Sequence, residues 1–235
     1  MTELLFRDDA YLATCEARVV GTVEGAVLLD RTVFYPLGGG QPGDAGEFLL
    51  DDGRTLGVAD TRKGDGGADV LHVLAAGTEP PPIGAPVTAQ LDWQRRYRLM
   101  RAHSSLHLLC RAVDGAVTGG QVGELKGRLD FDVPDPTLDK DAIERAIMEW
   151  VTADRPIRAR WIADAELAQR PELVRTMSVN PPTGHGQVRL VEIEGVDLQA
   201  CGGTHVRSTS EIGRVTVTRI EKKGRQNRRV AIELA

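Results

Sequence analysis

Cysteines and long apolar runs are both scarce in this chain of 235 residues. Its three cysteines are too few for a disulfide framework in a chain of this length, so we expect a reducing compartment. No stretch approaches the roughly 18 uninterrupted apolar residues that favour a membrane helix. The N-terminal segment carries early acidic residues and no long apolar stretch, which is unlike a signal peptide. These absences predict a cytoplasmic protein without a membrane span.

The chain also lacks an overall excess of positive charge. Its net charge of −5 argues against general affinity for nucleic acid, but the distribution of charge matters more than the sum. The basic residues crowd into two clusters: Arg95, Arg96, Arg98 and Arg101, and Lys222, Lys223, Arg225, Arg228 and Arg229. Clusters of this kind often only form a solvent-exposed surface. Two such clusters in one chain can also bind the phosphate backbone of a nucleic acid. Both interpretations stay open at this point.

Residues 1–90 have the pattern of a small all-β domain. Short runs rich in Val, Leu and Thr alternate with turn clusters and predict strands. The runs are Leu12–Thr22, Ala26–Tyr35, Gly46–Leu50, Leu56–Thr61, Val70–Leu74 and Pro86–Leu91. Six strands at this spacing predict a β-barrel. The stretch 77–86, with four prolines, predicts a stiff connector to a second domain, 91–235.

Helical and strand periodicities mix in this second domain. We expect a long helix after Asp92, a glycine-interrupted loop over 117–126 and a strand over 127–133. A helix beginning at Asp139, a strand over 156–162, a short helix capped by Asp164 and a strand over 187–194 follow. Arms near 212–221 and 229–234 predict a C-terminal hairpin. The predicted class is α+β, with helices covering one face of a mostly antiparallel sheet.

Two histidines lie four residues apart in the predicted helix after Asp92. Asp92 is a plausible N-cap, and apolar residues recur at steps of three and four. Those apolar residues are Leu99, Ala102, Leu106, Leu109 and Val113. The spacing puts His103 and His107 on one helix face, one turn apart, close enough to share one metal ion.

A second pair, Cys201 and His205, has the same spacing in a tight glycine turn that follows an apolar run over 188–198. The two pairs contain four of the eight cysteines and histidines in the chain and offer three nitrogens and one sulfur, a set suited to zinc. Either pair alone is often incidental, but their combination predicts a divalent metal site. Cys110, seven residues after His103, is a competing ligand, although a small apolar thiol in the core is the better interpretation.

The first domain contains three consecutive glycines, Gly38 to Gly40, in the segment FYPLGGGQPGDAG. Glycines allow positive φ and let backbone amides approach a ligand. No Gly-Lys-Ser or Gly-Lys-Thr follows, so the segment is not a nucleotide P-loop, and composition alone favours a hairpin turn with a bulge. Two other histidines are weaker candidates for a site. His72 alternates with apolar neighbours on a strand, which favours a satisfied core histidine over a ligand, and His185 lies in the loop PTGHGQ, where a surface histidine is favoured over one that faces a ligand.

The His103 helix has the spacing of the HExxH metalloproteases without their glutamate, the usual general base. Without a carboxylate to protonate the departing amine, such a site is poorly suited to peptide hydrolysis. An ester needs less assistance, because its alkoxide leaves more easily and metal-bound hydroxide can suffice. With basic clusters nearby, the residues favour cleavage of an ester attached to a polyanion.

Five motifs occur together along the chain. They are GGGQPGD at Gly38, HSSLHLL at His103, TGGQVGELKGRLDFD at Thr118, CGGTHV at Cys201, and EIG at Glu211 followed by KGRQNRR. In this order they resemble the editing domain of alanyl-tRNA synthetase, and more specifically its free-standing relatives, the AlaX proteins that carry a glycine-rich N-terminal domain. The resemblance covers nearly the whole chain.

The resemblance implies a fold and an activity. The fold is an N-terminal β-barrel followed by a two-layer editing domain, as in the threonyl- and alanyl-tRNA synthetases. The activity is deacylation of mischarged tRNA(Ala), chiefly Ser-tRNA(Ala), with Gly-tRNA(Ala) as the second candidate. His103, His107, Cys201 and His205 would be the catalytic residues and the Zn2+ ligands.

A hydrolytic zinc needs an open coordination position, which leaves two alternatives for these four ligands. In one, a ligand such as His205 is loose. In the other, all four bind, zinc only positions the aminoacyl end, and another group, such as a terminal ribose hydroxyl, activates water.

Candidate substrate contacts follow from the motifs. Ser104, Thr118, Gln121 and Thr204 lie near them and offer a hydroxyl or an amide for recognising serine, although helix packing and turn capping explain Ser104 and Thr204 equally well. The resemblance adds the glycine-rich loop, Gly38, Gly39, Gly40 and Gln41. Candidate tRNA contacts are Arg95, Arg98, Lys222, Lys223, Arg225, Arg228 and Arg229.

Two other functions stay open. The editing domain of threonyl-tRNA synthetase shares the two ligand pairs, so Ser-tRNA(Thr) is an alternative substrate, but that relative lacks the GGGQPGD barrel. A non-catalytic tRNA-binding module with structural zinc is the other alternative, although structural sites lean towards more cysteines. We expect a monomer or a weak dimer.

Overall fold

The computed structural model describes residues 2–64, 67, 69–133, 137–176 and 186–235. The chain divides into two compact units, Met1–Tyr97 and Arg98–Ala235, and the fold class is α+β, as predicted. Within the described residues, every helix is too short or too polar to cross a membrane.

The first unit is built around a closed β-barrel of six strands in the order β2-β3-β7-β6-β5-β8. Its strands are β1 (Glu3–Leu4), β2 (Thr14–Val23), β3 (Ala26–Leu29), β4 (Arg31–Thr32), β5 (Gly46–Leu50), β6 (Thr55–Lys63), β7 (Val70–Leu74) and β8 (Pro86–Leu91). Each neighbouring pair in the barrel is antiparallel, whereas β1 and β4 form a short parallel pair outside it. The predicted barrel is confirmed, and the bounds of β5, β7 and β8 are those that the sequence pattern predicts.

Alternate side chains of the barrel strands fill its interior with aliphatic and aromatic groups. His72 lies fully buried among them, edge-on to the rings of Phe34 and Phe48. Its Nε2 is 2.8 Å from Thr32 Oγ1 and its Nδ1 is 3.0 Å from the carbonyl oxygen of Val27. Burial lowers the pKa of His72 to about 4. The prediction of a satisfied core histidine is confirmed.

The proline-rich stretch 77–86 is not a boundary between domains. It joins β7 to β8 inside the same barrel. Two backbone hydrogen bonds hold its end against β2: the amide of Gly84 donates to the carbonyl of Val19 at 2.8 Å, and the amide of Val19 donates to the carbonyl of Ala85 at 3.0 Å. The prolines therefore shape a connection that is pinned to a barrel strand.

A buried ion pair joins the glycine-rich segment to the beginning of the long helix α1 (Trp93–Ala112). The guanidinium of Arg96 is fully buried and is paired with Asp44, whose side chain is 1% exposed. Arg96 also donates to the carbonyl oxygens of Ala10 and Val33, at 2.9 and 2.7 Å. Asp44 in turn accepts a hydrogen bond from the amide of Tyr35 at 2.6 Å. Arg96 is therefore a structural residue of the first unit, and counting it in a phosphate-binding cluster was wrong.

The second unit contains two antiparallel sheets and three helices within the described residues. Its strands are β9 (Ala116–Gly123), β10 (Lys126–Asp132), β11 (Ile157–Ala163), β12 (Gln187–Ile193), β13 (Asp197–Ala200), β14 (Val215–Lys222) and β15 (Asn227–Leu234). One sheet has the order β14-β15-β10-β9 and the other β11-β12-β13. Besides most of α1, the helices are α2 (Lys140–Thr152) and α3 (Asp164–Ala168).

The segment predicted as a glycine-interrupted loop is the strand β9, paired antiparallel with β10. The prediction was wrong because glycine lowers β-propensity, yet here glycine is required by close packing. A Cβ on Gly120 would lie 2.9 Å from the Leu129 side chain, and one on Gly127 would lie 3.0 Å from Leu106 of α1. The absence of a side chain at Gly120 leaves room for Leu129 of the neighbouring strand, and its absence at Gly127 leaves room for Leu106 of the helix.

Helix α2 forms as its sequence predicts. The Asp139 side chain caps it by accepting hydrogen bonds from the amides of Asp141 and Ala142, and the stripe Ile143, Ile147 and Val151 is buried. Such an N-cap satisfies amides that otherwise lack a partner in the first turn.

Asp164 does not cap α3 as predicted. The N-cap of that helix is Ala163, and no side chain caps it. The Oδ2 of Asp164 instead accepts a hydrogen bond from the amide of Gly186 at 3.1 Å. His185, which we expect in a loop, lies outside the described residues.

Replacing Asp44 by alanine should destabilise the first unit by about 3–5 kcal/mol, because the buried Arg96 guanidinium would lose its counter-charge. Asp52→Ala is a suitable control: Asp52 pairs with Arg54 on the surface, with side-chain exposures of 52% and 60%, and its replacement should shift the urea midpoint much less than that of Asp44. Urea denaturation of both variants measures the difference. Equal midpoints for the two variants would contradict this account of the buried pair.

Candidate metal centre

Both histidines of the first pair lie on α1. The helix begins as predicted, because Asp92 Oδ1 accepts a hydrogen bond from the amide of Arg95 at 3.0 Å. The repeated apolar residues of α1 are all buried, as is Val113 just after its end. His103 and His107 are also buried, and their ring centroids lie 5.5 Å apart.

The second pair lies just after the end of β13. The amide of Cys201 donates to the carbonyl of Arg189 at 3.1 Å, which extends the pairing of β13 with β12 by one residue. The Nη1 of Arg189 donates back to the carbonyl oxygens of Cys201 and Gly203, each at 2.9 Å. We call residues 201–205 the metal turn. Its position is set by a nearly buried arginine of β12.

The fold brings the two pairs together. The donor atoms of His103, His107, Cys201 and His205 all lie within 4.8 Å of one another. The Sγ of Cys201 is 3.3 Å from Nε2 of His205 and 3.7 Å from Nε2 of His103. Tetrahedral zinc with ordinary Zn–S and Zn–N bonds places sulfur and nitrogen about 3.6 Å apart. The donor set and these two distances are therefore compatible with a tetrahedral divalent metal such as zinc.

A carboxylate orients His107. Its Nδ1 lies 3.0 Å from Asp197 Oδ2, which also accepts a hydrogen bond from the Gln199 amide at 2.7 Å. The Oδ1 of Asp197 lies 3.6 Å from the guanidinium of Arg175. Donation of the Nδ1 proton to a carboxylate leaves Nε2 as the free donor atom, the arrangement found behind many metal-binding histidines.

The sequence reasoning missed Asp197 and Gln199, although one signal was present. Together with Cys201 they alternate along one strand and its extension, so that all three side chains point to the same face. Asp197 and Gln199 precede the predicted ligand Cys201 by four and two residues. Polar side chains that share a face with a predicted ligand in this way indicate residues that support it.

Ser104 orients His205. Its Oγ is 3.1 Å from His205 Nδ1 and accepts a hydrogen bond from the amide of Val206 at 3.3 Å. Ser104 is fully buried. It therefore positions a candidate ligand, and its hydroxyl contacts that ligand directly.

The electrostatics of Cys201 and His205 favour the protonation states that bind a cation. Burial alone would raise the pKa of the Cys201 thiol, but the interactions with the neighbouring His103 and His205 rings outweigh it and bring the pKa well below its usual value. Burial, together with the charge of His103, lowers the pKa of His205 to about 3. A thiolate and a neutral imidazole are the protonation states that metal binding requires.

His107 differs from His205 in its protonation. Burial alone would lower its pKa, but the hydrogen bond to Asp197 and the nearby Cys201 thiolate raise the pKa to about 10. Cys110 lies outside the ligand group formed by the described residues. It is 3% exposed, and burial raises the pKa of its thiol to about 11. The interpretation of Cys110 as a core thiol is confirmed.

The remaining candidate substrate residues of the second unit have separate positions. Thr204 is fully buried within the metal turn. Thr118 on β9 donates to the carbonyl of Asp130 at 3.2 Å and accepts a hydrogen bond from Asn227 at 2.8 Å. Gln121, also on β9, is exposed and accepts a hydrogen bond from Arg128 at 3.3 Å. The bonds of Thr118 and Gln121 attach them to the four-stranded sheet.

In the first unit the glycine-rich loop forms a tight hairpin turn. The amide of Gly38 donates to the carbonyl of Gln41 at 3.1 Å, and the reverse bond is 2.9 Å long. Gly39 and Gly40, between them, have φ values of 56° and 82°, which glycine adopts with little strain. The backbone of Gly39 and Gly40 is exposed, whereas Gln41 is fully buried.

Three arginines of α1, Arg95, Arg98 and Arg101, form bonds within their own units. Arg95 donates to the carbonyl of Gly43 at 2.6 Å, and Arg98 pairs with Glu124 at 2.8 Å. Arg101 donates to the carbonyl of Ile212 at 2.9 and 3.0 Å.

The C-terminal basic cluster is only partly exposed. Arg229 forms two hydrogen bonds to Asp130, at 2.6 and 2.8 Å, and Arg228 donates to the carbonyl of Gly224 at 3.1 Å. The remaining members, Lys222, Lys223 and Arg225, are exposed.

Comparison with known proteins identifies the family. The family described as threonyl and alanyl tRNA synthetase second additional domain matches residues 188–231, which include Cys201 and His205. The family described as tRNA synthetases class II (A) matches residues 9–95. An alanyl-tRNA editing protein AlaX-M from Methanosarcina mazei is 35% identical over 245 residues, spanning 100% of this chain and 97% of its own length. The chain belongs to the AlaX-M family.

Other relatives support this assignment. The AlaX-M protein of Saccharolobus solfataricus is 33% identical over 98% of both chains. The alanine–tRNA ligase of Korarchaeum cryptofilum is 37% identical over 94% of this chain, which corresponds to 25% of the ligase. This AlaX-M family member thus matches one portion of a much larger enzyme.

Asp197→Asn should lower the affinity for Zn2+ by about 10- to 100-fold, because an amide accepts the His107 proton more weakly and no longer fixes the ring. Competition with a chromophoric chelator measures the affinity. Asp130→Asn is the matched control, since Asp130 also binds arginines but belongs to the four-stranded sheet. If both variants bind Zn2+ as the wild type does, Asp197 has no role in orienting the ligand.

Proposed function

We propose that this chain hydrolyses the ester bond between an amino acid and tRNA(Ala) when the tRNA is mischarged, with Ser-tRNA(Ala) as the chief substrate and Gly-tRNA(Ala) as the second. The observation that carries the proposal is the convergence of His103, His107, Cys201 and His205. Full-length relatives named as alanyl-tRNA editing proteins support it. A free-standing protein with this activity would edit in trans.

The need for such an activity is physical. A synthetase pocket that accepts alanine cannot strongly reject glycine, which is smaller, or serine, which adds one hydroxyl. Discrimination then requires a second site where the wrong product is hydrolysed. Serine recognition at that site requires a donor or acceptor near the side chain of the bound amino acid.

We propose Zn2+ as the cofactor, held by Nε2 of the three histidines and the Sγ of Cys201. Bound Zn2+ would supply a Lewis acid beside the ester carbonyl. The chain's own contribution is to hold the ligands: Asp197 fixes the ring of His107, Ser104 fixes the ring of His205, and Arg189 fixes the backbone of the metal turn.

The support around His205 bears on how water is activated. Its ring is buried and held at Nδ1 by Ser104, which favours the alternative in which all four ligands bind together. The carboxylate nearest the ligands, Asp197, is already bonded to His107 and Gln199. We therefore propose that a group of the substrate, such as the terminal ribose hydroxyl, activates the water.

Two sets of residues are proposed to recognise the substrate. Thr204 is the candidate that lies within the metal turn itself, while Ser104 contributes through His205. The glycine-rich loop, from Gly38 to Gln41, is proposed on the resemblance to the family, together with the exposure of Gly39 and Gly40. Thr118 and Gln121 stay candidates with lower priority, because their hydrogen bonds serve the four-stranded sheet.

His103→Ala and Cys201→Ala should each lose bound zinc and reduce Ser-tRNA(Ala) hydrolysis by more than about 100-fold, since even changes behind a ligand cost 10- to 100-fold. Single-turnover deacylation and metal analysis measure the two effects, and circular dichroism checks the fold. Cys15→Ser, a partly buried cysteine of the barrel, should retain metal and activity. Wild-type hydrolysis by either ligand variant would refute the metal assignment.

The same assay separates the alternative functions. Hydrolysis of Ser-tRNA(Thr) in preference to Ser-tRNA(Ala) would assign the chain to threonine editing. Binding of tRNA(Ala) without turnover, with and without a chelator, would indicate a binding module with structural zinc.

Replacing Lys222, Lys223 and Arg225 by glutamine should weaken binding of tRNA(Ala) and reduce its salt dependence, by about one unit of log–log slope for each phosphate contact that is lost. The exposure of all three side chains supports this assignment. The matched control replaces Lys140, Arg145 and Arg214, which are also exposed, and changes the net charge equally. Titrations at several salt concentrations measure both slopes. Identical slopes for the two triple variants would show that the tRNA binds to a surface other than the hairpin.

A further inference from the structure

An exposed tryptophan lies on the sheet beside the metal turn. Trp161 is 41% exposed, and among the described residues it is the only aromatic side chain in the set of exposed large hydrophobic residues. It lies on β11, which is an edge strand of the β11-β12-β13 sheet. Neither the ligand group nor its supporting hydrogen bonds explain an exposed indole at this position.

Strand register places Trp161 opposite Arg189. The two residues are directly paired across β11 and β12, so their side chains lie on the same face of the sheet with Cβ atoms about 5 Å apart. Arg189 is the residue that donates to the carbonyl oxygens of Cys201 and Gly203. The indole therefore lies next to the side chain that binds the backbone of the metal turn.

The chain that leaves the metal turn returns to the same strand. The amide of Ile157, the first residue of β11, donates to the carbonyl of Arg207 at 2.8 Å, and Pro156 forms an antiparallel bridge with Ser208. The chain thus passes from Cys201 beside β12 to Arg207 beside β11. Trp161 lies four residues, about 13 Å, further along that strand, at the end where Arg189 of β12 pairs with Cys201.

The charge of this face suits an anionic chain with exposed bases. On β11 and β12 the residues that share the face of Trp161 include Ala159, Arg189 and Val191, and none of them is acidic. Glu192 projects from the opposite face, where it pairs with Arg160. Space is also available, because a Cβ placed on Gly202 of the metal turn would have no atom within 4 Å.

We propose that Trp161 is a stacking surface for a nucleobase in the single-stranded 3′ end of the tRNA. This inference rests on the proposed function, which places the terminal ester at the ligand group. A base near that ester can lie flat on an indole, an interaction that tolerates any base because every base has a π-face. Trp161 would then hold the tail while the ligand group acts on the ester.

Trp161→Ala should raise KM for Ser-tRNA(Ala) by between about 5- and 100-fold, the range expected for loss of one stacked base. It should leave kcat and zinc content near wild-type values, because Trp161 takes part in none of the hydrogen bonds and ring contacts given above for the ligand group among the described residues. The slope of log affinity against log salt should not change, since no phosphate contact is lost. Trp161→Phe should restore most of the affinity.

Arg160→Gln is the matched control, since Arg160 precedes Trp161 on the same strand and projects from the opposite face. Its KM should change less than that of Trp161→Ala. Equal KM values for wild type and Trp161→Ala would overturn the inference, as would an equal rise in Arg160→Gln. The proposed function would still stand if the wild type hydrolyses Ser-tRNA(Ala).

Fluorescence tests the stacking without hydrolysis. Uncharged tRNA(Ala) ending in CCA should quench the wild-type emission, whereas the same tRNA without its last three nucleotides should not. The Trp161→Phe variant, which retains Trp93 and Trp150, should show no quenching. Failure of the wild type to hydrolyse Ser-tRNA(Ala) would refute the proposed function, while the quenching would still decide the stacking.

A concentration-dependent change of emission in the absence of RNA, with no response to the CCA end, would instead show that a second copy of the chain covers Trp161. That outcome would overturn the proposal.

Discussion

The ligand group depends on keeping four polar side chains, three of them buried, together in fixed orientations. Three imidazoles and a thiolate at such short distances would be costly to bury without hydrogen-bond partners. The chain offsets this cost locally: Asp197 accepts from His107, Ser104 contacts His205, and the Cys201 sulfur accepts from the amide of Gly203 at 3.4 Å. The helix, the sheet and the turn are each placed so that one of these contacts can form.

Arg189 has a distinctive part in this arrangement. Arginine is rarely buried unless it is paired, and here its guanidinium binds two backbone carbonyl oxygens of the metal turn. A glycine-containing turn has few side chains of its own with which to define its shape. The neighbouring strand therefore supplies the side chain that fixes the turn.

Much of the fold could be predicted because its signals are local. The barrel strands follow period-two alternation, and the helix with His103 and His107 follows from apolar spacing and the Asp92 cap. The two ligand pairs were each visible as a four-residue spacing. The α+β class and the barrel are confirmed by the structure, and the ligand atoms converge as the spacing predicts.

The errors and omissions share a physical cause: contacts between residues that are distant in sequence. Arg96 was counted as a surface cation because its partner, Asp44, lies 52 residues away. Asp197 was missed because its bond to His107 spans 90 residues. Strand β9 was predicted as a loop because the packing that requires Gly120 involves the neighbouring strand, which composition cannot show.

The close approach of α1 to Gly127 limits how this domain could be engineered for heat resistance. Strengthening a strand commonly means substituting β-branched residues for glycine, but at Gly127 a side chain would press on Leu106 of the helix that also carries His103 and His107. Any resulting displacement of that helix would be transmitted to the ligands. A substitution that strengthens the strand at Gly127 would therefore disturb the ligands. Stabilising substitutions would have to be placed on the solvent-facing side of the sheet.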